Sequence, residues 1–378
     1  MLETKPKISI ILPCRNEEEA LPFCLKKLKE VIKENNLSAE IIVSDSSNDK
    51  SPEIAKKEGV VLVKHDKEGY GNAYLEGFKM AKGEYILMAD ADATYDLEKI
   101  PLFIKELEND NDMVIGDRLS GEIEEGAMPW PNRHIGTPVL SFILRLFFGA
   151  KIKDSQSGMR AIKKSSLEKL NLQTVGMEFA SEMIVKSIRH NLKIKELPIN
   201  YYKRKGQSKL KPFSDAYKHM RFMLLYSPLF LFFIPGLILF FTGTLLMAWF
   251  YFYSPEIFGI KFFYHPMFLF SLLMTTGYQL IVFSGFAKIY SITHLSEENA
   301  GVEKLFKYIT IERASIAGLL AIIIGACIFA FVLSKWINSR LGSLDEIKNS
   351  IIALTLLAIG AQTIFSSFML SILGIKEK

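Results

Sequence analysis

Two carboxylates lie one residue apart in the stretch MADADATYD, which covers residues 88–96. Asp90 and Asp92 follow a short apolar run, and in an extended chain residues i and i+2 lie on the same side, about 7 Å apart. Carboxylates this close repel each other unless a cation lies between them. Oxygen ligands suit hard divalent ions such as Mg2+ or Mn2+. The pair therefore indicates either a metal site or a solvated turn with capping aspartates.

The first 211 residues alternate short apolar runs with helical patterns. This order predicts an α/β fold in which a mostly parallel sheet has helices on both faces. Strands are predicted at residues 8–12, 40–44, 60–64, 85–89 and 113–116. Helices are predicted at residues 17–33, 52–58, 72–81 and 97–108.

Polar clusters follow several of these strands, at the edge where parallel sheets bind ligands. They cover residues 13–17, 45–49 and 67–72 and the pair Asp90 and Asp92. Their convergence favours a ligand site over a solvated turn. Asp45 could accept a hydrogen bond from a nucleobase N–H, or it could belong to a turn or a helix cap.

Gly69 and Gly71 flank Tyr70 in a stretch that looks like a phosphate loop. The stretch is neither G-x-G-x-x-G nor the Walker sequence, so it gives no support for a dinucleotide-binding protein or an ATPase. The glycines could simply permit a tight turn into a helix whose N-terminus attracts a diphosphate.

The second half of the chain contains four long stretches without Lys, Arg, Asp or Glu. Each exceeds the roughly 20 residues that a helix needs to cross the hydrocarbon core of a bilayer. We therefore expect a transmembrane domain from residue 226 to residue 378. Its helices are predicted at about 226–253, 264–287, 314–335 and 350–374.

Basic residues flanking the predicted spans place residues 1–211 in the cytoplasm. Segments 203–221 and 288–313 are rich in Lys and Arg, and the N-terminal apolar run is too short for a signal peptide. Residues 212–225 are expected to form a juxtamembrane amphipathic helix. Residues 138–148 indicate either an interfacial helix or a buried core helix. A net charge of +5 is too weak and too localised to argue for nucleic-acid binding.

The motifs together resemble the family 2 glycosyltransferases of the GT-A fold, specifically the polyprenyl-phosphate (dolichol-phosphate) hexose synthases. The resemblance covers the soluble half of the chain, and a four-span region follows it. The motifs that carry it are residues 13–18, 45–51, 69–73, 90–92, 116–118, 154–160 and 204–209.

The resemblance implies a role for particular side chains. The nucleotide sugar would be bound by Pro13, Arg15, Glu17, Asp45, Lys67, Gly71, Asp90, Arg204 and Lys209. The Mg2+ or Mn2+ ion would be held by Asp90, Asp92 and Thr94, although close family members have Gln at the last position. The acceptor phosphate would be held by Arg118, Arg133 and Thr137, and catalytic roles are implied for Asp90, Asp92, Arg118 and Arg133. Glu178 and Glu182 lie near an acidic position of the family or on a solvated helix face.

The function implied by the resemblance is inverting transfer of a hexose to a polyprenyl phosphate at the cytoplasmic face of a membrane. The donor would be UDP-glucose or GDP-mannose, and Thr94 together with residues 126–130 favours UDP-glucose. A processive polysaccharide synthase is one alternative, but its Gln-x-x-Arg-Trp motif is absent from the sequence. A flippase for lipid-linked sugars and a nucleotidyltransferase or phosphatase built on D-x-D are the others.

Overall fold

The computed structural model describes residues 5–206, 212–257, 259–294, 311–341 and 345–373. The chain divides into two compact units, Met1–Tyr226 and Ser227–Lys378. The juxtamembrane helix predicted at residues 212–225 therefore belongs to the first unit.

A seven-stranded sheet forms the centre of the first unit, in the order β3-β2-β1-β4-β6-β5-β7. Within this sheet β6 runs antiparallel to both of its neighbours, and the other pairings are parallel. The predicted mostly parallel α/β sheet is confirmed. Its strands are β1 (Ile8–Cys14), β2 (Ala39–Asp45), β3 (Val61–Lys64), β4 (Tyr85–Met88), β5 (Met113–Asp117), β6 (Arg160–Lys163) and β7 (Ile194–Pro198).

Helices cover both faces of the sheet because consecutive strand residues are apolar. In β1, Ile10 and Leu12 pack into the core on one face, while Ile11 packs into the core on the other. Side chains in a strand point alternately to opposite faces, so one apolar strand serves both cores. The helices of this unit are α1 (Leu21–Glu34), α2 (Ser51–Lys57), α3 (Tyr70–Met80), α4 (Ile100–Glu108), α5 (Thr137–Phe148), α6 (Lys164–Leu170), α7 (Phe179–Arg189) and α8 (Pro212–Leu225).

The helix predicted at residues 17–33 begins later, at Leu21. Residues 17–20 instead form a turn in which Ala20 N–H donates to the Glu17 carbonyl at 3.1 Å. This turn leaves Glu17 at the edge of the sheet, outside the helix.

Helix α5 combines the two alternatives that its sequence left open. Leu140 and Leu144 are buried in one of the two apolar cores, whereas Val139, Phe142 and Leu146 are exposed. The exposed positions recur every three or four residues and so lie on one face of the helix. One face of α5 is therefore core and the other is an unpartnered apolar stripe among the described residues.

Among the described residues of the second unit, four helices are long and apolar enough to cross a membrane. Glycines allow close helix crossings: a Cβ at Gly236 would lie 2.9 Å from the Gly277 carbonyl oxygen, and one at Gly318 would lie 2.7 Å from that of Gly360. Such contacts are typical of helices that pack within lipid. The four helices cover Leu229–Phe252 (including α9, Ile234–Phe252), His265–Tyr290 (within α10, His265–His294), Ile311–Asn338 (α11) and Ile347–Leu373 (α12).

Candidate active site

The carboxyl ends of β1, β2 and β4 meet at one edge of the sheet. Strand register pairs Cys14 with Asp45 and Ile11 with Met88, so the loops that follow these strands begin side by side. Asp90 and Asp92 extend from this edge, next to the turn that carries Glu17. The structure thus brings the aspartate pair and Glu17 together, as their order along the chain predicted.

Asp90 is held in a site that disfavours its negative charge. Its Oδ1 atom is buried and has no hydrogen-bond partner among the described residues. Burial raises the pKa of Asp90 to about 7, and the charge of Asp92 acts in the same direction. Arg204 and Arg118 oppose this shift, as does the neighbouring Tyr70 hydroxyl. A bound cation would favour the ionised form further.

Asp92 is held by Thr94 on one oxygen and by Arg204 on the other. Its Oδ1 accepts hydrogen bonds from Thr94 N–H at 3.1 Å and from Thr94 Oγ1 at 2.6 Å. Its Oδ2 accepts one from Arg204 at 2.8 Å, and the same guanidinium donates to Glu17. The backbone N–H of Lys205 also donates to the Asp92 carbonyl at 3.1 Å. Arg204 therefore acts as the internal counter-ion of Asp92 and Glu17.

The donor set fits a divalent cation that completes its coordination with phosphate and water. Among the described residues, no group of three or more His, Cys, Asp or Glu side chains could enclose a metal ion. Mg2+ commonly binds through one or two carboxylates plus the phosphates of a substrate. Asp90 and Asp92 supply two such carboxylates, and the unpartnered Asp90 Oδ1 leaves one ligand atom open. Thr94 orients Asp92 here, and its ligation of a metal stays a prediction.

Asp45 lies at the same edge but is fully buried, and its carboxylate is already hydrogen-bonded. It accepts bonds from Ser47 Oγ at 2.5 Å and from Lys64 Nζ at 2.8 Å. Lys64 is half exposed, so the ammonium group lies nearer the solvent than the carboxylate does. Contact between Asp45 and a nucleobase stays a prediction.

The other residues expected at the nucleotide are arranged less uniformly. Pro13 lies within β1 and is partly exposed, which places it at the edge. Arg15 and Lys67 are exposed and form ion pairs with Glu68 at 2.6 Å and Glu76 at 2.5 Å. These two ion pairs do not place Arg15 or Lys67 next to Asp90 and Asp92. Lys209 lies outside the described residues.

The N-terminus of α3 is covered by protein, which differs from the expected open diphosphate site. Gly71 N–H donates to the Gly176 carbonyl at 3.3 Å, and Asn72 N–H donates to the Val175 carbonyl at 3.2 Å. A Cβ at Gly71 would lie 2.2 Å from the Thr174 carbonyl oxygen. Gly71 is thus explained by close backbone packing, because these amides are already occupied.

Arg118 binds a carboxylate of the chain itself through two of its guanidinium nitrogens. Its Nε and NH2 atoms donate to the two oxygens of Asp154 at 2.7 and 2.9 Å, and both side chains are buried. The two guanidinium nitrogens that bind Asp154 cannot bind a phosphate at the same time. Contact between Arg118 and the acceptor phosphate stays a prediction, and in this arrangement Arg118 adds positive charge beside Asp90.

Arg133 and Thr137 lie at the start of α5. Arg133 is exposed, and among the described residues its side chain has no hydrogen-bond or ion-pair partner. Thr137 is buried in the first turn of the helix. Arg133 is therefore the better placed of the two predicted arginines for an external anion.

Comparison with known proteins agrees with this arrangement. Residues 9–171 match the family model described as Glycosyl transferase family 2, and residues 285–374 match the Glycosyltransferase family 2 C-terminal transmembrane region. A low-salt glycan biosynthesis hexosyltransferase, Agl6 of Haloferax volcanii, is 35% identical over 98% of this chain and 89% of its own length. The chain belongs to glycosyltransferase family 2.

Two further relatives each match slightly more than half of this glycosyltransferase. A dolichyl-phosphate hexose transferase of Haloferax volcanii is 28% identical over 55% of this chain and 89% of its own length. A dolichol-phosphate mannosyltransferase of Pyrococcus furiosus is 29% identical over 54% of this chain and 59% of its own length. The family resemblance seen in the motifs is confirmed, and the four apolar helices together with the transmembrane-region match identify an integral membrane protein.

Arg160 belongs to the glycosyltransferase site, although the sequence assigned it no role of its own. Arg160 is buried and donates to the carbonyls of Ser155, Ser157 and Ala180 at 2.9, 2.8 and 2.7 Å. It thereby fixes the loop of residues 154–159 beside Asp90. This stretch was recognised as a motif, but an arginine that binds carbonyl groups has the same sequence signal as one that binds substrate.

Proposed function

We propose that this glycosyltransferase transfers a hexose from a nucleotide sugar to a polyprenyl phosphate at the cytoplasmic face of a membrane, with inversion at the anomeric carbon. The observation that carries the proposal is the pair Asp90 and Asp92. One oxygen of the pair is buried without a partner, and the other carboxylate is neutralised by Arg204. The matches to the family 2 model and to the family 2 transmembrane region also support the proposal.

On the donor side, Asp90 and Asp92 would hold a Mg2+ or Mn2+ ion against the diphosphate of the nucleotide sugar. When bound, the cation would stabilise the negative charge of the departing diphosphate. Arg204 is partly exposed and lies beside Asp92, so it can exchange a carboxylate for a phosphate oxygen. Glu17 would then hold Arg204 in reach of the diphosphate, because it pairs with the same guanidinium.

On the acceptor side, a phosphate monoester has a second pKa of about 6, so the attacking oxygen is already largely ionised at neutral pH. The chain therefore has to hold and orient this anion rather than remove a proton. Arg133, which is exposed at the start of α5, would bind the acceptor phosphate. Attack in line with the departing diphosphate inverts the anomeric centre, so an α-linked donor gives a β-linked product.

The surface beside Arg133 supports an acceptor that stays in the bilayer. Helix α5 exposes an apolar stripe, and α8 packs against α5 while exposing Tyr217 and Leu225. An amphipathic helix of this kind lies at the boundary between headgroups and acyl chains. The stripe of α5 consists of Val139, Phe142 and Leu146, and Ile135 in the turn before α5 is also exposed. Basic residues flanking the spans favour the cytoplasmic face for this unit.

The names of two relatives, a dolichyl-phosphate hexose transferase and a dolichol-phosphate mannosyltransferase, favour a lipid phosphate over a sugar polymer as acceptor. Among donors we favour UDP-glucose over GDP-mannose, because Thr94 replaces the Gln of the mannose synthases.

The donor and the acceptor can be tested together in membranes that contain the full chain. Radiolabelled UDP-glucose, UDP-N-acetylglucosamine and GDP-mannose are each supplied with polyprenyl phosphate, and the lipid products are analysed by mass. We expect one monosaccharide-phosphate lipid, from UDP-glucose. A polymeric product would favour a processive synthase, and turnover without any lipid acceptor would contradict the proposal.

A further inference from the structure

Three oxygen atoms surround Gly158 next to the aspartate pair. A Cβ at this glycine would lie 2.9 Å from Asp90 Oδ2, 2.9 Å from the Tyr70 hydroxyl and 3.0 Å from the Tyr95 hydroxyl. The Tyr95 hydroxyl accepts a hydrogen bond from Gly158 N–H at 2.6 Å, and the Tyr70 hydroxyl faces the same glycine as Asp90 Oδ2 does. Tyr70 thus lies against Asp90 while the Oδ1 atom of that carboxylate stays open.

Aromatic neighbours hold the ring of Tyr70 in this position. Its centroid lies 5.0 Å from that of Tyr74 and 6.3 Å from that of Phe179, both in edge-to-face geometry. Phe179 also stacks on Tyr74 at 5.7 Å and is fully buried. Rotation of Tyr70 away from Asp90 would therefore require two other buried rings to move.

The backbone on both sides of Tyr70 is fixed by the loop of residues 173–176. A Cβ at Gly69 or at Gly71 would lie 2.3 or 2.2 Å from a carbonyl oxygen of this loop. Gly69 also has a φ of +118°, which residues other than glycine rarely adopt. Because Gly69 and Gly71 have no side chains, the loop packs directly against the backbone on either side of Tyr70.

Glu182 in turn holds that loop. Its fully buried carboxylate accepts hydrogen bonds from Gln173 N–H at 3.0 Å, from Thr174 N–H at 2.8 Å and from Thr174 Oγ1 at 2.6 Å. Lys186 balances the charge at 2.7 Å. Glu182 lies one helical turn beyond Phe179, so α7 fixes both the ring and the backbone of Tyr70.

We propose that Tyr70 is a positioning residue that orients Asp90 toward the cation, and that Glu182 and Phe179 hold Tyr70 for this purpose. The inference rests on the proposed function, because it concerns the carboxylate that is expected to bind Mg2+ or Mn2+. Partners that orient a ligating carboxylate typically change metal affinity by about 10- to 100-fold when removed.

The test is Mn2+ binding to the full chain in detergent, followed by the electron paramagnetic resonance signal of free Mn2+. Tyr70→Phe keeps the ring and removes the hydroxyl, and we expect its Kd for Mn2+ to rise by about tenfold or more. Tyr85→Phe is the matched control, because Tyr85 is a buried tyrosine at the far end of β4, the strand that leads to Asp90. Its affinity for Mn2+ should equal that of the wild type.

Glu182→Gln provides a second test that leaves Tyr70 intact. It removes the charge that holds the loop, and we expect weaker Mn2+ binding than in the wild type. A merely structural role for Glu182 and Tyr70 would lower the thermal midpoint without changing the Mn2+ affinity. Wild-type Mn2+ affinity in folded Tyr70→Phe, or in Glu182→Gln where the first variant fails to fold, would overturn the inference.

Asp92→Ala separates this inference from the proposed function. If Asp92→Ala loses Mn2+ binding while Tyr70→Phe retains it, the cation site stands and the positioning role of Tyr70 is wrong. If Asp92→Ala binds Mn2+ as the wild type does, the cation site itself is wrong and the proposed function fails with it.

Discussion

At the scale of single residues, two arginines beside Asp90 differ in how firmly they are held. Arg118 is buried against Asp154, whose side chain has no exposed surface. Arg204 is 22% exposed and pairs with both Asp92 and Glu17. Arg118 therefore supplies a fixed positive charge, whereas Arg204 is the arginine that can change partners when an anionic donor arrives.

Removing the partner of a buried charge is costly, because the remaining ion is left uncompensated. We expect Asp154→Ala to lower the free energy of unfolding by about 3–5 kcal/mol, measured by denaturant unfolding of the full chain in detergent. Glu108→Ala is the matched control, because it breaks the exposed ion pair with Lys7 and should change stability little. Equal effects of the two variants would contradict a structural role for the buried pair.

At the scale of elements, α8 is docked on α7 through a polar contact in an apolar setting. Ser181 Oγ and His219 Nδ1 are 2.8 Å apart, and both side chains are buried. Burial lowers the pKa of His219 to about 4; Asp215 acts against this shift, while Arg160 and Lys218 reinforce it. The contact is therefore made by neutral imidazole at physiological pH.

This contact predicts how stability depends on pH. Because the unfolded chain protonates His219 near pH 6.5 and the folded chain resists protonation until about pH 4, the unfolded state binds more protons in this window. The free energy of unfolding should therefore fall as the pH falls from 6.5 to 4, by about 3 kcal/mol from this group. We expect His219→Gln to lose less stability than the wild type over this window when both are unfolded at a series of pH values. Parallel pH profiles would contradict the prediction.

The elements also show what the sequence could and could not predict. Strands β1, β2 and β4 are mostly apolar, and an acidic residue ends or closely follows each of them, so both the sheet and the aspartate edge could be predicted. Strand β6 was missed because it has only four residues with Arg160 and Lys163 at its ends. The partner of Arg118 lies 36 residues further along the chain, and no local pattern indicates that it is Asp154 rather than a phosphate.

At the scale of the whole molecule, a family 2 glycosyltransferase unit is joined to a region of four apolar helices. The long stretches without charged residues predicted these helices, because length and hydropathy alone decide whether a helix can span a bilayer. Close crossings at glycines hold the helices together, and among their described residues intramembrane charge is absent from the span centres.

The central claim is that a cation on Asp90 and Asp92 enables transfer to an isoprenoid phosphate. The most direct measurement is hexose transfer to polyprenyl phosphate by the full chain after EDTA treatment and during titration with Mn2+. The account predicts that EDTA abolishes transfer, that Mn2+ restores it in the wild type, and that Asp92→Ala stays inactive at every Mn2+ concentration. Full activity of the EDTA-treated wild type, or of Asp92→Ala, would contradict it.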